Sequence, residues 1–286
     1  MKLLASYSTK CAIVLIAMAL TFSSQAQRLG GGSKEVGFQA GTSYYIGDLN
    51  PDNPLNSRIH LITGGYYRHN FNSRIALRFQ VMNGTIESWD EDSNNAWAQN
   101  RNLHFRNEIT EFSVSGELNY VNHVLGNPKN RFSGFLTAGL AIYNHDPEAM
   151  DSFGNWHPLQ PLGTEGQGWI DGVDPYKLSG LAIPFGIGFK LNIGTAIAFQ
   201  LEWGMRKTWT DYLDDVSTSY VNSSAQFQER GELSVELADR IIALPKGLDS
   251  SEGLQRGDPG RNDKYGYVLA SISIRVSKKP TTCWEQ

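Results

Sequence analysis

Apolar residues alternate strictly with other residues in several long runs of this chain. In the last run Ile272, Ile274 and Val276 alternate with Ser273 and Arg275. Successive side chains of a β-strand point to opposite faces of the sheet, so a period of two predicts strands with one apolar face. Eight such runs lie within residues 36–46, 58–71, 75–81, 111–120, 132–142, 181–191, 197–206 and 267–276. The sequence therefore predicts an all-β fold of about eight strands.

The connections between these runs alternate in length. Those near residues 72, 128 and 194 are tight, whereas those at 48–57, 87–108, 145–177 and 209–263 are long. Short turns opposite long external loops are typical of outer-membrane barrels. Several runs also exceed the usual five or six residues of soluble strands and reach the roughly 9–11 residues of a tilted membrane strand. Because lipid offers an open sheet edge no hydrogen-bond partner, we expect a closed antiparallel transmembrane β-barrel.

The N-terminus has the tripartite layout of a secretory signal peptide. Lys2 and Lys10 flank an N-terminal segment that is followed by the uncharged apolar run 12–20, and small residues at Ser24 and Ala26 precede a cleavage point. The apolar run is shorter than a typical membrane span, although an uncleaved anchor helix remains the alternative. We therefore expect a signal peptide at 1–26, an exported barrel at 27–277 and a short periplasmic tail at 278–286.

The same alternation also fits a soluble β-sandwich or a lipocalin-like barrel, whose apolar face would lie inside. Strand length, loop asymmetry and the export signal favour the membrane. In that case long polar side chains would line an interior just wide enough for them, and each charge would need a partner. This inner set comprises Arg74, Arg78, Gln80, Glu111, Glu117, Lys190, Gln200, Glu202, Arg206 and Arg275. Aromatic residues toward the strand ends would form an interfacial girdle of Tyr44, Tyr45, Tyr66, Tyr67, Trp203, Trp209 and Tyr265.

Composition and motifs give no indication of catalysis or of a cofactor. The net charge of −4 and the absence of a basic stretch argue against a nucleic-acid partner. The six histidines are His60, His69, His104, His123, His145 and His157, and none has a metal-ligand spacing. The alternative is an outer-membrane enzyme that uses a histidine on a strand. His123 is the candidate for this role, but the sequence near it shows no evident nucleophile. We therefore predict a non-enzymatic protein that binds no cofactor.

An acidic segment in the last long loop is a weak candidate for a calcium site. Its carboxylates are Asp211, Asp214 and Asp215, and calcium prefers oxygen ligands. The regular 12-residue calcium loop is absent. The favoured alternative is that these side chains cap turns and accept hydrogen bonds from loop amides.

Two further features lie near the C-terminus. Leu233, Leu237 and Ile241 have helical spacing, which predicts a helix within 223–244, in or over the last external loop. Cys283 is the only cysteine left after the predicted cleavage. It either pairs with another chain or is an idle thiol in the tail.

Three loop regions carry a resemblance to a known family. They are Tyr45-Ile46-Gly47-Asp48-Leu49-Asn50, Thr210-Asp211-Tyr212-Leu213-Asp214-Asp215-Val216-Ser217, and Gln255-Arg256-Gly257-Asp258-Pro259 with Asn262-Asp263. With them the chain resembles the PorG-like outer-membrane barrels of Bacteroidetes, which are associated with the type IX secretion system. The motif residues are Tyr45, Gly47, Asp48, Asn50, Thr210, Asp211, Tyr212, Asp214, Asp215, Arg256, Gly257, Asn262 and Asp263.

This resemblance implies a non-enzymatic barrel in the bacterial outer membrane. Its partners would be outer-membrane lipid and the periplasmic ring and lipoprotein components of the secretion machinery, which it would anchor or position. One departure is the tail beyond the last strand, through Lys278-Lys279-Pro280 to Trp284. The alternative function is an outer-membrane ligand-binding or adhesion barrel unrelated to secretion, whose long loops meet the outside.

Overall fold

The computed structural model describes residues 32–51 and 58–276 of the 286-residue chain. The strands are β1 (Ser33–Ile46), β2 (His60–Asn70), β3 (Ile75–Trp89), β4 (His104–Asn119), β5 (Phe132–Met150), β6 (Trp156–Pro158), β7 (Ser179–Ile193), β8 (Ile197–Thr208) and β9 (Lys264–Arg275). The predicted signal peptide and the tail with Cys283 lie outside the described residues.

Eight of these strands form one closed antiparallel ring. Each pairs with its neighbours in the order β4-β3-β2-β1-β9-β8-β7-β5, and β5 pairs with β4 to complete the circle. The first and last strands join from Glu35 opposite Arg275 to Ile46 opposite Lys264. The short strand β6 extends β5 beyond the ring. The predicted fold class, a closed antiparallel barrel of about eight strands, is confirmed.

Short helices lie only in the long loops of the described residues. They are α1 (Ala96–Arg101), α2 (Ser223–Arg230) and α3 (Glu232–Ala238), with 3-10 turns at Asp90–Asp92 and Gln160–Leu162. The single helix predicted within 223–244 is therefore wrong in extent. Gly231, with a φ of 82°, separates α2 from α3, and α3 ends at Ala238. None of the helices in residues 32–51 and 58–276 combines the length and hydropathy of a transmembrane helix.

The barrel is apolar outside and polar inside. Exposed apolar side chains of the strands include Val36, Phe38, Leu61, Phe79, Val81, Phe112, Leu118, Phe132, Leu136, Leu140, Ile142, Leu181, Ile187, Phe189, Trp203, Val268, Ile272 and Ile274. Buried charged side chains on the alternate positions include Glu35, Arg68, Arg78, Glu111, Glu117, Lys190, Glu202 and Arg206. A soluble barrel would have the opposite polarity. The exterior therefore suits a hydrocarbon solvent.

The apolar belt ends before the strands do. On the outer face of β5 the apolar positions run from Phe132 to Ile142, and Asn144, Asp146 and Glu148 follow. On neighbouring strands, the Asn83 side chain donates to the Glu108 carboxylate over 2.9 Å. The upper parts of β3, β4 and β5 therefore leave the belt and, with the long loops, build a folded head above it. The opposite end carries the turns and both chain ends of the barrel.

One connection differs from the sequence prediction. The connection after β4 is not a tight turn near residue 128 but spans 120–131. It folds beneath the barrel, where the His123 amide donates to the Ser73 carbonyl over 2.9 Å and the Asn192 side chain donates to the Val124 carbonyl over 2.9 Å. Leu125 is buried there. This segment therefore covers the turn end of the lumen.

Two other expectations need correction. Tyr45, Tyr66 and Tyr265 are not girdle residues, because their side chains are buried inside the barrel. Tyr44 differs from these three, because it lies on the outer face of β1 with its ring packed over Gly266. Arg74 does not join the inner set, because it precedes β3 in an exposed turn. Side-chain parity is defined only within a strand, so it gave the wrong face for a turn residue.

The belt makes a direct prediction for substitutions on β5. Leu136→Arg should destabilise the barrel in lipid vesicles by about 2–4 kcal/mol, because hydrocarbon solvates a charged side chain poorly near the middle of the bilayer. Asn144→Arg, on the same face above the belt, should change stability little. Urea unfolding of the two variants in vesicles measures the difference. Equal stability of the two would contradict the assignment of this face to lipid.

Candidate functional site

A network of ion pairs fills the lower lumen around Glu117 of β4. The Lys190 ammonium donates to one Glu117 oxygen, and an Arg68 nitrogen lies 3.2 Å from the other. Arg68 also donates to Glu35 over 2.9 Å. The remaining cation, Arg78, lies 3.9 Å from Glu117. Three cations from β2, β3 and β7 thus meet one carboxylate at the barrel axis.

Two bidentate pairs complete the network. Arg78 donates two hydrogen bonds to the Glu202 carboxylate of β8, over 2.5 and 2.8 Å. Higher in the barrel Arg206 grips Glu111 through contacts of 2.7 and 2.9 Å, and the Tyr265 hydroxyl donates to Glu111 over 2.7 Å. Paired geometry of this kind satisfies both charges of an ion pair. The lumen therefore balances its charges internally.

The network leaves little room for a solute path. Arg68, Arg78, Lys190 and Arg206 are among the largest fully buried side chains. An eight-stranded barrel has an interior only wide enough for side chains. Sequence parity identified most of this set but missed Glu35 and Arg68. Both could have been found, because they alternate with the outward-facing Val36 and Tyr67.

The acidic segment of the last long loop enters the head and closes the mouth of the barrel. Leu213 is completely buried in a cluster that includes Phe105 and Tyr143 of the strands. Its carbonyl accepts from the Asn107 side chain over 2.6 Å, and its amide donates to Asp263 over 2.9 Å. An apolar side chain and its backbone are thus both fixed at the mouth.

A buried tyrosine joins two motif carboxylates beside Leu213. The Tyr45 hydroxyl lies 2.5 Å from an Asp214 oxygen and 2.8 Å from an Asp263 oxygen. Asp214 also accepts from the Val216 amide over 3.0 Å. The three motif segments therefore meet at one point through Tyr45, Asp214 and Asp263.

A second cluster forms around Arg256. Its guanidinium donates to Glu165 over 2.8 Å and to the Asp215 carbonyl over 2.5 Å. Asp215 has a φ of 65°, in the left-handed region that Asp tolerates better than most residues. Its side chain accepts from Tyr176 over 2.7 Å and from Thr164. Arg256 thus ties the motif turn to the loop between β6 and β7.

The remaining motif residues support these contacts. Asn50 donates to the Tyr45 carbonyl over 3.0 Å, and Asp48 accepts from the Asp258 amide over 2.7 Å. The Thr210 carbonyl accepts from the Asp263 amide over 2.9 Å, and the Tyr212 ring stacks on another tyrosine. A Cβ on Gly47 would overlap Tyr45 and Asp263, and one on Gly257 would overlap Asp48 and Ser217. Asn262 alone is an exposed member of the set.

Several residues of the head were missed by sequence reasoning. Arg101 holds Asp90 through two contacts of 2.7 Å and donates to the carbonyls of Arg256 and Asp48. Glu165 accepts from the Ser217 and Thr218 amides over 2.9 and 3.0 Å. These partners lie in four different loops, and no local pattern marks them. The sequence offered no signal for their pairing.

The structure does not assemble the calcium candidates. Asp214 and Asp215 accept hydrogen bonds from amides, hydroxyls and Arg256, as the turn-capping alternative expects. The two Asp211 oxygens lack hydrogen-bond partners of good geometry. Within residues 32–51 and 58–276, no group of three or more His, Cys, Asp or Glu side chains could hold a metal ion.

The carboxylates of the mouth lie in an environment that favours protonation. Burial, followed by the charges of Asp263 and Asp48, raises the pKa of Asp214 well above its usual value. Burial likewise raises the pKa of Asp263, helped by Asp211 and Asp48. For Asp211, burial raises the pKa to about 7, although the nearby Ser217 hydroxyl favours the charged form. The mouth therefore holds protons more tightly than an unfolded loop.

Comparisons with known proteins place the chain in a family. The model of the "Domain of unknown function (DUF6089)" matches residues 9–154. The chain belongs to this family. The match covers the first barrel strands through β5. Among curated proteins no match is found.

Solved structures with low similarity include several membrane barrels. The N-terminal β-barrel domain of Pseudomonas aeruginosa OprF is 10% identical, with 85% of this chain and 98% of that chain covered and a TM-score of 0.35. Ail, the attachment invasion locus protein of Yersinia pestis, is 8% identical, with 86% and 99% covered and a TM-score of 0.40. Neisserial surface protein A is 8% identical, with 85% and 98% covered and a TM-score of 0.40. We draw no functional conclusion from these similarities.

Removing the central lumenal carboxylate should strongly destabilise the barrel. Glu117→Ala leaves buried cations without their partner, and breaking a buried ion pair costs about 3–5 kcal/mol. Urea unfolding in lipid vesicles measures the change. Glu108→Ala, an exposed carboxylate on the same strand, serves as the control.

A charge-balanced double variant tests the cause of that loss. Glu117→Leu combined with Lys190→Met removes one charge of each sign and should recover much of the stability lost in Glu117→Ala, since apolar replacement of a buried pair is often tolerated. Failure of Glu117→Ala to differ from Glu108→Ala would contradict the network's structural role.

The stability of the head should fall as the pH rises from 5 to 8. The folded head binds more protons than the unfolded loops, because burial raises the pKa values of Asp48 to about 6 and of Asp215 to about 6 as well as that of Asp211. Such groups stabilise the folded head at low pH, and this stabilisation is lost as the pH rises through the raised pKa. For each proton released on opening, the equilibrium constant for loop opening rises by up to about tenfold per pH unit. Hydrogen exchange of the loop amides, corrected for the intrinsic pH effect, measures it.

Asp211→Asn should flatten this pH dependence and slow loop exchange at pH 8. The exposed Asp249→Asn is the matched control and should leave the profile unchanged. Loops that open less at pH 8 than at pH 5 in the unmodified protein would contradict the sign of the effect.

Proposed function

We propose that this protein is a non-enzymatic barrel of the bacterial outer membrane that works as an anchor and not as a channel. The apolar belt supports insertion in a bilayer, with the long loops outside the cell and the turns in the periplasm. The observation that carries the proposal is the closure of the lumen by the ion-pair network around Glu117. The motif loop around Leu213 closes the external mouth. A barrel closed in this way acts through its outer surfaces.

We further propose that the anchored assembly is the type IX protein secretion machinery. The support is the resemblance to PorG-like barrels. Most of the motif residues that carry this resemblance are buried in the head, where Tyr45, Asp214 and Asp263 hold the loops together. Buried side chains explain the shape of the head and leave partner binding to exposed residues. We therefore place contact with periplasmic ring and lipoprotein partners on the turn end, where Tyr120 is 82% exposed.

The second candidate is a ligand-binding or adhesion barrel that uses the head. It is favoured by exposed apolar side chains there, including Phe153 at 87% exposure and Ile242 at 70%. Exposed apolar surface is one mark of an interaction site. A partner on the outside of the cell would bind this surface.

A pull-down from outer membranes in mild detergent separates the two functions. Tagged protein should recover periplasmic ring and lipoprotein components, identified by mass spectrometry. Tyr120→Ser with Val121→Ser should weaken that recovery several-fold, because both side chains are exposed at the turn end. The control pair, Phe153→Ser with Ile242→Ser, removes two exposed apolar side chains from the head and should not change it.

The opposite pattern would favour the second candidate. If the head variants lose a partner and the turn variants do not, the protein binds through its loops. Recovery of the barrel alone from the outer-membrane fraction would contradict the secretion role and leave the membrane anchor.

A further inference from the structure

A basic pocket opens at the turn end, between the turn after β2 and the segment after β4. Its volume is about 540 Å³, and its lining includes the three cations Arg74, Lys129 and Arg131. All three are exposed. The Asn122 side chain accepts from Arg74 over 3.1 Å and so holds the guanidinium at the pocket wall. Phe132 and Val121 complete an apolar side of the same pocket.

The turn end carries no exposed carboxylate among its described residues. In the ranges 32–36, 68–76, 117–134, 189–199 and 273–276 the only carboxylates are Glu35 and Glu117, and both are buried in the lumen. The loop end differs, because it exposes Glu91, Asp92, Asp171, Asp174, Glu229, Asp249, Glu252 and Asp258. The pocket therefore presents uncompensated positive charge to an anion.

An apolar groove lies next to this pocket on the belt. Its volume is about 730 Å³, and it crosses the outer face from β3 to β8. Small residues at Gly116 and Ala138 form its floor, and its walls are Ile75, Leu118, Leu136, Phe185, Ile187 and Trp203. A Cβ on Gly116 would meet only the Ala138 carbonyl oxygen, at 3.8 Å. The groove is thus open to an aliphatic chain from the lipid side.

The pocket and the groove share a seam. Arg74 in the pocket precedes Ile75 in the groove, and the pocket residue Phe132 lies on the outer face of β5, four residues before the groove residue Leu136. A phospholipid has an anionic phosphate next to its acyl chains. The seam has the matching arrangement, with cations at the rim of the apolar belt and an apolar groove beside them. We propose that this seam is a specific phospholipid site, which holds the lipid phosphate on Arg74, Lys129 and Arg131 and an acyl chain in the groove.

The apolar groove favours a lipid over an acidic peptide as the occupant of this site. A peptide strand in the groove would bring backbone amides into the hydrocarbon belt, where they would have no hydrogen-bond partner. An acyl chain brings none. The lipid is therefore one of the leaflet that faces the turns, and an anionic headgroup such as phosphatidylglycerol suits the excess charge best. This site does not depend on the secretion role.

Native mass spectrometry of the detergent-solubilised barrel, titrated with phosphatidylglycerol, tests the site. The unmodified protein should bind one lipid tightly, and glycerol phosphate without acyl chains should not compete at the same concentration. Arg74→Gln, Lys129→Gln and Arg131→Gln together should weaken binding about a hundredfold, from about fivefold per cation near an anionic lipid. The control, Lys177→Gln, Arg230→Gln and Lys246→Gln, removes the same charge from the loop end and should bind as the unmodified protein does.

A groove variant tests the acyl-chain half without changing charge. Gly116→Phe should fill the groove and weaken phosphatidylglycerol binding about tenfold or more, whereas Gly65→Phe, on the outer face of β2, should not. Heat-modifiable migration on gels confirms that each variant is folded. Equal binding by the two triple variants would overturn the site. So would displacement of the lipid by inorganic phosphate or an acidic peptide with no effect of Gly116→Phe.

Discussion

The pairing of β1 with β9 closes the barrel. It removes the last open edge of the sheet, and a bilayer could not satisfy such an edge. Closure with eight strands also fixes the width of the interior. Once the width is fixed, inward-facing side chains must contact one another across the axis. The charged lumen and its internal pairing thus follow from the closed ring.

Three layers close this barrel along its axis. The segment 120–131 lies under the turn end, the ion pairs around Glu117 fill the lower lumen, and the motif loop with Leu213 fills the mouth. Each layer uses a different chemistry: backbone hydrogen bonds, charge pairing and apolar burial. A molecule built in this way has a rigid core and leaves function to its rims and its lipid-facing surface.

The barrel itself was predictable because its signal is local. Period-two alternation places Phe79 outside and Gln80 inside with no knowledge of the partner strand. Pairing across the lumen was not predictable in detail, since Glu117 and Lys190 are far apart in sequence. The motif segments indicated which loop residues matter, but not that Arg101, Asp90 and Glu165 from other loops hold them. The long segment 120–131 was misjudged because its Gly126-Asn127-Pro128 suggests a tight turn, whereas its packing against Thr195 is a tertiary contact.

The two ends of the barrel carry charges of opposite sign, which the overall composition does not show. The overall charge of −4 averages an acidic head with a basic turn rim. Oriented in a bilayer, the two rims would meet different chemical surroundings. A barrel that is inert along its axis can therefore still distinguish the two sides of its membrane.

Ion conductance of the purified barrel in planar lipid bilayers shows whether its lumen is closed. We expect no stable open steps under moderate voltage, because the ion pairs around Glu117 and the loop at Leu213 close the lumen. Long-lived, reproducible conductance steps from the folded, unmodified protein would contradict it and would show that the interior is a water-filled channel.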